Sequence, residues 1–505
     1  MERSAGILLS VSSLPSRYGI GCFDQSAYEF VDFLKSAKQS YWQILPLGPT
    51  GFGDSPYQSF SVFAGNPYFI SLTELIDEGL LTKRECDLGD FGNDACSVDY
   101  QKLYENRYKL LEKAYRNSGI QNNPEFAVFC QNNVWIDDFA LFMALKDKFN
   151  GASHNNWDTD IRLRKASVLE KYSIELAEKT HFYKFLQFEF FRQWTKLKQY
   201  ANKNGVRIIG DIPIYAAYDS ADLWSNLQLF DLDSNNYPRY VAGCPPDGFA
   251  KDGQLWGNPL YDWQRHKETG YKWWIKRLEH CFKLYDVVRI DHFRGFDEYY
   301  AIPNGDKNAK CGKWKKGPGI GLFDAVEKAL GKKDIIAEDL GFVTDSVIQL
   351  VKDSGFANMK VLQFAFDSRD TGRSADYLPH NYKENCVAYT GTHDNHTLAA
   401  WFEEISDEER KKVREYICDD YTPDAEIHRA LIASVMQSAA TRCIIPMQDW
   451  LGLGDNARMN TPSTVGRNWK WRLVKNDISP KNCEIIRRMT EVYGRQNQYQ
   501  GECSV

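Results

Sequence analysis

Short apolar runs rich in Val and Ile recur along the chain, and most are separated by stretches whose apolar residues return every three to four positions. A run of the first kind fits a strand buried on both faces, and one of the second kind fits an amphipathic helix packed upon it. Strands are predicted at 6–13, 41–47, 206–215 and 287–291, then at a run ending on Glu338, near 360–366, at 386–394 and at 443–449. Helical periodicity fills 26–37, 181–204, 263–283, 344–353, 407–416 and 480–489. About eight strand and helix units in this order predict an α/β fold, a closed (β/α)8 TIM barrel.

The rhythm lapses twice. Residues 70–180 carry charged, aromatic-studded helical stretches with no strand pattern, too long for a loop, and are expected to form an inserted helical subdomain. Residues 241–259 hold glycines that permit movement and prolines that limit it, with Phe249 and Trp256 among them, and read as a lid loop. The whole chain, 1–505, is otherwise expected to be one catalytic barrel.

Composition narrows the chemistry. The 14% aromatic content, with 14 Trp and 28 Tyr, leans towards flat-faced ligands such as sugars, although on composition alone a well-packed aromatic core is the better account. A net charge of -6 without a basic arm argues against a nucleic-acid surface. The 12 cysteines include no Cys-x-x-Cys pair and no zinc spacing, and free thiols fit a reducing compartment. No window approaches a membrane span, and no leader pattern opens the chain, so a cytoplasmic enzyme free of membrane is expected.

Three predicted strands end on an acid: Asp291 beside Arg289, His292 and Arg294; Glu338 after Ile335-Ile-Ala337; and Asp394 after His393. Cleaving a glycosidic bond by the retaining route needs one ionised carboxylate and one protonated carboxyl group. Asp291, next to Arg289, suits attack, while Glu338, in apolar surroundings and near other carboxylates, suits proton donation. Asp394 would hold sugar hydroxyls, with His292 and His393 donating to the same groups. A lone strand-end acid is commonly a cap or an ion-pair partner, but three on different strands converge on one site. His393, Asp394 and His396 lack a third His ligand, so no metal or other cofactor is expected. Gly317-Pro-Gly-Ile-Gly321 follows no strand and is not a nucleotide loop.

These residues resemble the 4-α-glucanotransferases, the amylomaltase or disproportionating enzyme family of the α-amylase superfamily, over essentially the whole chain. The resemblance is carried by Gly210-Asp-Ile-Pro-Ile-Tyr215, Cys244-Pro-Pro-Asp247 with Gly253-Gln-Leu-Trp-Gly-Asn-Pro259, Arg289-Ile-Asp-His-Phe-Arg294, Ala337-Glu-Asp-Leu-Gly341 and Tyr389-Thr-Gly-Thr-His-Asp-Asn395. It implies a retaining transglycosylase on a barrel with inserted subdomains and no separate C-terminal β domain. Asp291 would be the nucleophile, Glu338 the acid/base and Asp394 the transition-state stabiliser. Asp211, Arg289, His292 and His393 would line the cleavage subsite, and Ser55 and Tyr57 a neighbouring one. Asp247, Phe249, Gln254 and Trp256 would belong to the lid, and Asn460 to the rim. The implied donors and acceptors are malto-oligosaccharides and α-1,4-glucans. The rivals are an α-glucan hydrolase of the same superfamily and a non-catalytic carbohydrate-binding barrel. Two departures stand out: His396 where the family usually has an acid, expected to perturb subsite polarity, and Cys244 where an aliphatic residue is common.

Overall fold

The computed structural model describes residues 3–51, 53–246, 251–341, 343–367 and 373–496. Twelve strands form in chain order: β1 (Ser4–Leu8), β2 (Tyr41–Gln43), β3 (Arg207–Pro213), β4 (Tyr240–Cys244), β5 (Gln254–Pro259), β6 (Val287–Asp291), β7 (Glu298–Pro303), β8 (Lys313–Lys316), β9 (Ile335–Ala337), β10 (Ala357–Val361), β11 (Cys386–Tyr389) and β12 (Arg442–Pro446). Eight of them, β1, β2, β3, β6, β9, β10, β11 and β12, close a parallel barrel, with β12 returning to pair with β1 from Ser4↔Arg442 to Leu8↔Pro446. The fold is the expected (β/α)8 barrel.

The barrel strands are almost wholly buried, as their unbroken apolar runs require; Val287, Val288, Ile290, Ile336 and Val387 are inaccessible. Buried polar residues on these strands meet one another, as Arg289 meets Asp211. On β6 the side chains of Arg289 and Asp291 share a face because they are two residues apart. The β3 and β6 register sets Asp211 beside Arg289 and Pro213 beside Asp291. On the other side of β6, Ile290 pairs with Ala337, so Glu338 follows directly at the carboxyl end, its N–H donating to Ile290 O at 3.1 Å.

Between β2 and β3 the chain is helical, ending in the helix Ala177–Lys203. That helix docks on the barrel through Phe190 and Trp194, both 5.2 Å from the Phe23 ring, and Trp194 Nε1 donates to Leu284 O at 3.0 Å. A four-stranded antiparallel sheet in the order β5-β4-β7-β8, which the hydrophobic pattern did not predict, stands beside the barrel. The segment expected as a loop over 241–259 instead contributes two strands to it, paired Val241↔Pro259 and Cys244↔Gln254. The helix expected over 263–283 is two helices, Trp263–Glu268 and Lys272–Leu284. Positive φ at Gly270 and Tyr271 breaks it between them. Among the described residues no helix is long and apolar enough to cross a membrane.

Candidate active site

Arg289 is 3% exposed, and a guanidinium so enclosed is costly unless paired and hydrogen-bonded. Its Nη1 lies 2.7 and 2.6 Å from the two carboxylate oxygens of Asp211, and its Nη2 lies 3.0 Å from Asp291 Oδ1. Nε points to Met359 Sδ at 3.3 Å. One cation therefore serves two acids on adjacent strands. Tyr57 OH donates to Asp211 Oδ2 at 2.9 Å, and its ring stacks on His393 with centroids 5.1 Å apart. The loop after β2 is thereby tied to the ends of β3 and β11. In that loop Ser55 Oγ accepts from Tyr57 N at 3.3 Å, which fixes the turn that presents Tyr57.

Glu338 sits beside Asp291 across the β6 and β9 pair. Its carboxyl oxygens accept from His292 N at 2.7 Å and Leu340 N at 2.8 Å. The first contact depends on His292 adopting a left-handed φ of 56°, which turns the chain as β6 ends. Burial pushes the Glu338 carboxyl well above the usual range, and the charge of Asp291 pushes it further, against the pull of Arg289 and the two main-chain N–H groups. Burial also raises Asp291, but Arg289 is the chief opposing influence there, ahead of the repulsion from Asp211 and Asp394. Enclosure takes the His292 imidazole down to about 3, so it is neutral at physiological pH and offers both a donor and an acceptor.

Trp256, on β5, meets His292 edge to face at 4.7 Å, and its Nε1 donates to Gln254 Oε1 at 3.1 Å. Gln58 Nε2 donates to Asn258 Oδ1 at 3.0 Å, joining β5 to the loop after β2. Asp247 and Phe249 lie outside the described residues.

The seventh barrel strand was expected to run to Asp394, yet β11 ends at Tyr389. Beyond it, Asn395 Oδ1 accepts from Thr392 N at 2.8 Å and curls the segment into a turn that carries His393 and Asp394. Asn460 Nδ2 donates to Asp394 Oδ1 at 2.6 Å, and Asn460 N donates to His393 O at 3.0 Å. Arg458 Nη2 donates to Asp394 O at 2.8 Å while its Nε donates to Asn460 O at 2.8 Å. His393 Nε2 lies 3.4 Å from Asp394 Oδ1. The ring of His396 turns away to Asp455, Glu404 and Arg458, so His393, Asp394 and His396 do not converge on a common point.

Asp211, Arg289, Asp291, His292 and Glu338 are thus linked contact by contact. Tyr57 joins them through Asp211, and His393, Asp394 and Asn460 through Tyr57 and one another. Sequence reasoning did not single out Arg458 or Trp469. Arg458 was legible only as a cation two residues before Asn460. Trp469, whose ring lies 5.8 Å from Tyr57 and 6.0 Å from His393, gave no signal beyond the local Trp-Lys-Trp cluster. A narrow cleft flanks the rim, lined by His393, His396 and Arg458 among others. Another is lined by Tyr57 and Asp211.

A family model described as 4-alpha-glucanotransferase matches residues 9–476. The chain is 49% identical over 490 residues to the 4-alpha-glucanotransferase of Clostridium butyricum, across 96% of this chain and 100% of the relative. It is 49% identical over 501 residues to the 4-alpha-glucanotransferase of Streptococcus pneumoniae, across 98% of each. The solved structure of an amylomaltase from Streptococcus agalactiae in complex with acarbose superposes with a TM-score of 0.95 at 40% identity, across 98% of this chain and 100% of that one. With a barrel of the same closure and a match that spans nearly its whole length, the chain belongs to the 4-alpha-glucanotransferase family.

Proposed function

We propose that this enzyme moves α-1,4-glucan segments between malto-oligosaccharides through a covalent glycosyl intermediate on Asp291, with Glu338 as acid/base and Asp394 as transition-state stabiliser. The observation that carries the reading is the Ile290↔Ala337 register, which sets Asp291 and Glu338 next in line on adjacent strands, with Arg289 on Asp291 and with burial first, then Asp291's charge, holding Glu338 towards its protonated form. In the first step Asp291 Oδ attacks the anomeric carbon, the bond to the bridging oxygen breaks, and the Glu338 proton passes to that oxygen. Esterification removes the negative charge of Asp291. The main influence of that charge on Glu338 is then gone, its pKa falls, and it becomes the base that takes the proton from an incoming 4-hydroxyl. Neutral His292, His393 and the Asp394 carboxylate offer hydrogen bonds to the sugar as positive charge develops at the ring. The acarbose complex of the S. agalactiae amylomaltase supports a glucan-like ligand for this fold.

Transfer requires that an acceptor sugar outcompete water for the ester. Bulk water is about 55 M, whereas a well-oriented hydroxyl reaches an effective molarity of roughly 10⁵ M or more. Trp256 and Gln254 on β5, with Asp247 and Phe249 from the same segment, are assigned to that acceptor side, where an indole face stacks on a sugar. Asp211, Arg289 and Tyr57 are assigned to the cleavage subsite and its neighbour, Ser55 to the turn presenting Tyr57, and Asn460 to holding Asp394. The free thiols among the described residues, together with the net charge of -6, support a cytoplasmic role in carbohydrate metabolism without a nucleic-acid partner.

Incubation with maltotriose tests the reading. Glucose together with maltopentaose and longer chains, at constant total reducing ends, is the expected product ladder. Rising reducing ends with shorter products only would make the enzyme a hydrolase.

A further inference from the structure

The eighth strand signal, 443–449, also stops on an acid, and the proposed reaction gives that acid, Asp449, no part. β12 itself ends at Pro446, and Asp449 stands in the short helix Met447–Trp450 that follows. It is 1% exposed. A carboxylate so enclosed is costly unless hydrogen-bonded, and both of its oxygens have a donor. Oδ2 accepts from Thr390 Oγ1 at 2.6 Å, and Oδ1 accepts from Leu398 N at 2.7 Å. Burial pushes the carboxyl up to about 6, against the pull of these two donors. At neutral pH it is ionised, and each oxygen is an acceptor.

Both donors belong to one segment. Thr390 follows directly on β11, and Leu398 N is the first amide of the helix Leu398–Glu404, one of the N–H groups that a helix leaves without an internal partner. Thr390 and Leu398 are themselves inaccessible. Between them runs 391–397, the turn that carries His393 and Asp394. A group that served only the helix would need one oxygen, whereas here the second goes to the far end of the turn. Arg458 and Asn460 hold the middle of the same segment at Asp394. Gln363 Nε2 donates to His396 O at 2.8 Å, so the turn is expected to shift rather than unravel when Asp449 is removed.

We propose that Asp449 is a positioning residue for glucan transfer, whose carboxylate fixes both ends of the turn and thereby the place of the Asp394 carboxylate at the site of cleavage. The proposal rests on the reading of Asp394 as the group that meets the developing charge.

The test is kcat and KM for maltotriose disproportionation in the wild-type enzyme, Asp449→Ala, Asp449→Asn and Thr390→Val, per folded enzyme as measured by circular dichroism. Asp449→Ala opens both ends of the turn, and a misplacement of about 1 Å costs on the order of 100-fold, so kcat is expected to fall by about that factor. KM is expected to stay within about threefold, because Asp394 acts on the transition state. Asn keeps both contacts: its Oδ1 accepts from Leu398 N, and its Nδ2 donates to the Thr390 hydroxyl, which accepts as well as donates. Asp449→Asn is therefore expected to recover kcat to within about fivefold of the wild type. Thr390→Val frees one end and leaves Asp449 on Leu398, so it reads the clasp even where Asp449→Ala does not fold, and its kcat is expected to fall about tenfold. Wild-type kcat in Thr390→Val or in folded Asp449→Ala would overturn the proposal, as would a loss in Asp449→Asn equal to that in Asp449→Ala. Undiminished turnover in Asp394→Asn, assayed alongside, would instead overturn the reading of Asp394 beneath it.

Discussion

Between Asp211 and Asp291, the Arg289 guanidinium places one positive charge against two negative ones, and Glu338 completes the group as a third acid. The charges do not cancel, and the surplus is felt most by the acid with the least compensation. Arg289 makes an ion pair with Asp291, while Glu338 has only main-chain donors, so of the two Glu338 is the one that keeps its proton as pH rises. On the proposed roles activity is expected to be bell-shaped: the acid limb includes protonation of Asp291, and the basic limb is loss of the Glu338 proton. Replacing Asp291 by Asn tests the coupling directly. Turnover is expected to fall on the order of 10⁴-fold or more with glucan binding retained. Because the charge that raises Glu338 is gone, its protonated-carboxyl infrared band, assigned with Glu338→Gln, is expected to titrate at lower pH in Asp291→Asn than in the wild type. An unmoved band would mean that burial alone sets Glu338.

Among the elements, the candidate acids Asp291 and Glu338 were legible because β-branched runs stop on them. Strand ends were less so: β11 stops five residues before Asp394, since side-chain bonds within 392–395 make a turn that hydrophobicity does not encode. The antiparallel sheet was missed for a similar reason. Its strands are short and only partly apolar, as in Lys313–Lys316, and the β4 and β7 pairing at its centre brings together residues more than 50 positions apart. That sheet holds Trp256 against His292, so Trp256→Ala is expected to raise the ratio of hydrolysis to transfer by about tenfold. Reducing ends followed alongside glucose release measure it, and an unchanged ratio would place the indole outside the acceptor site. The helix Lys272–Leu284 carries a different liability. His280 is enclosed among the Phe63, Trp135 and Phe191 rings, and burial takes its pKa down to about 4 from 6.5. The folded state resists a proton that the unfolded chain accepts, so stability is intact above pH 6.5 and is lost as pH falls towards 4. The loss approaches about 1.4 kcal/mol per pH unit for a single such group. In urea titrations His280→Phe is therefore expected to flatten the decline between pH 6.5 and 4.5, and a slope equal to that of the wild type would assign the decline to other groups.

The whole molecule depends on a seam that periodicity could count but not place. Eight strand signals imply closure, yet nothing in a local window says that Ser4 must find Arg442, and the cost of bringing such distant segments together grows only slowly with the length between them. What secures the seam lies beyond the last helix, Pro480–Val492. Arg495 is fully buried, and its guanidinium donates to Met436 O at 2.7 Å, Ser438 O at 2.9 Å, Ala440 O at 2.9 Å and Ser4 O at 3.2 Å. These carbonyls lie at or just before the starts of β1 and β12, the opposite end of the strands from the acids. Arg3 Nη2 joins them, donating to Met436 O and Ser438 O at 2.8 Å each. A sequence reader sees only an arginine past the final helix, because its partners are main-chain atoms with no residue signature. Truncating Arg495 leaves several enclosed carbonyls without their donor, at about 1–3 kcal/mol for each that water does not reach. Arg495→Ala is accordingly expected to lower the unfolding free energy by about 2–4 kcal/mol while leaving kcat for maltotriose at 25 °C within about twofold, since the damage is at the far end of the barrel. Urea unfolding and the product ladder, run on the same preparation, separate the two effects. Unchanged stability would show that the seam is held by the β1 and β12 ladder alone, and lost activity in a folded variant would show that the two ends of the barrel are coupled.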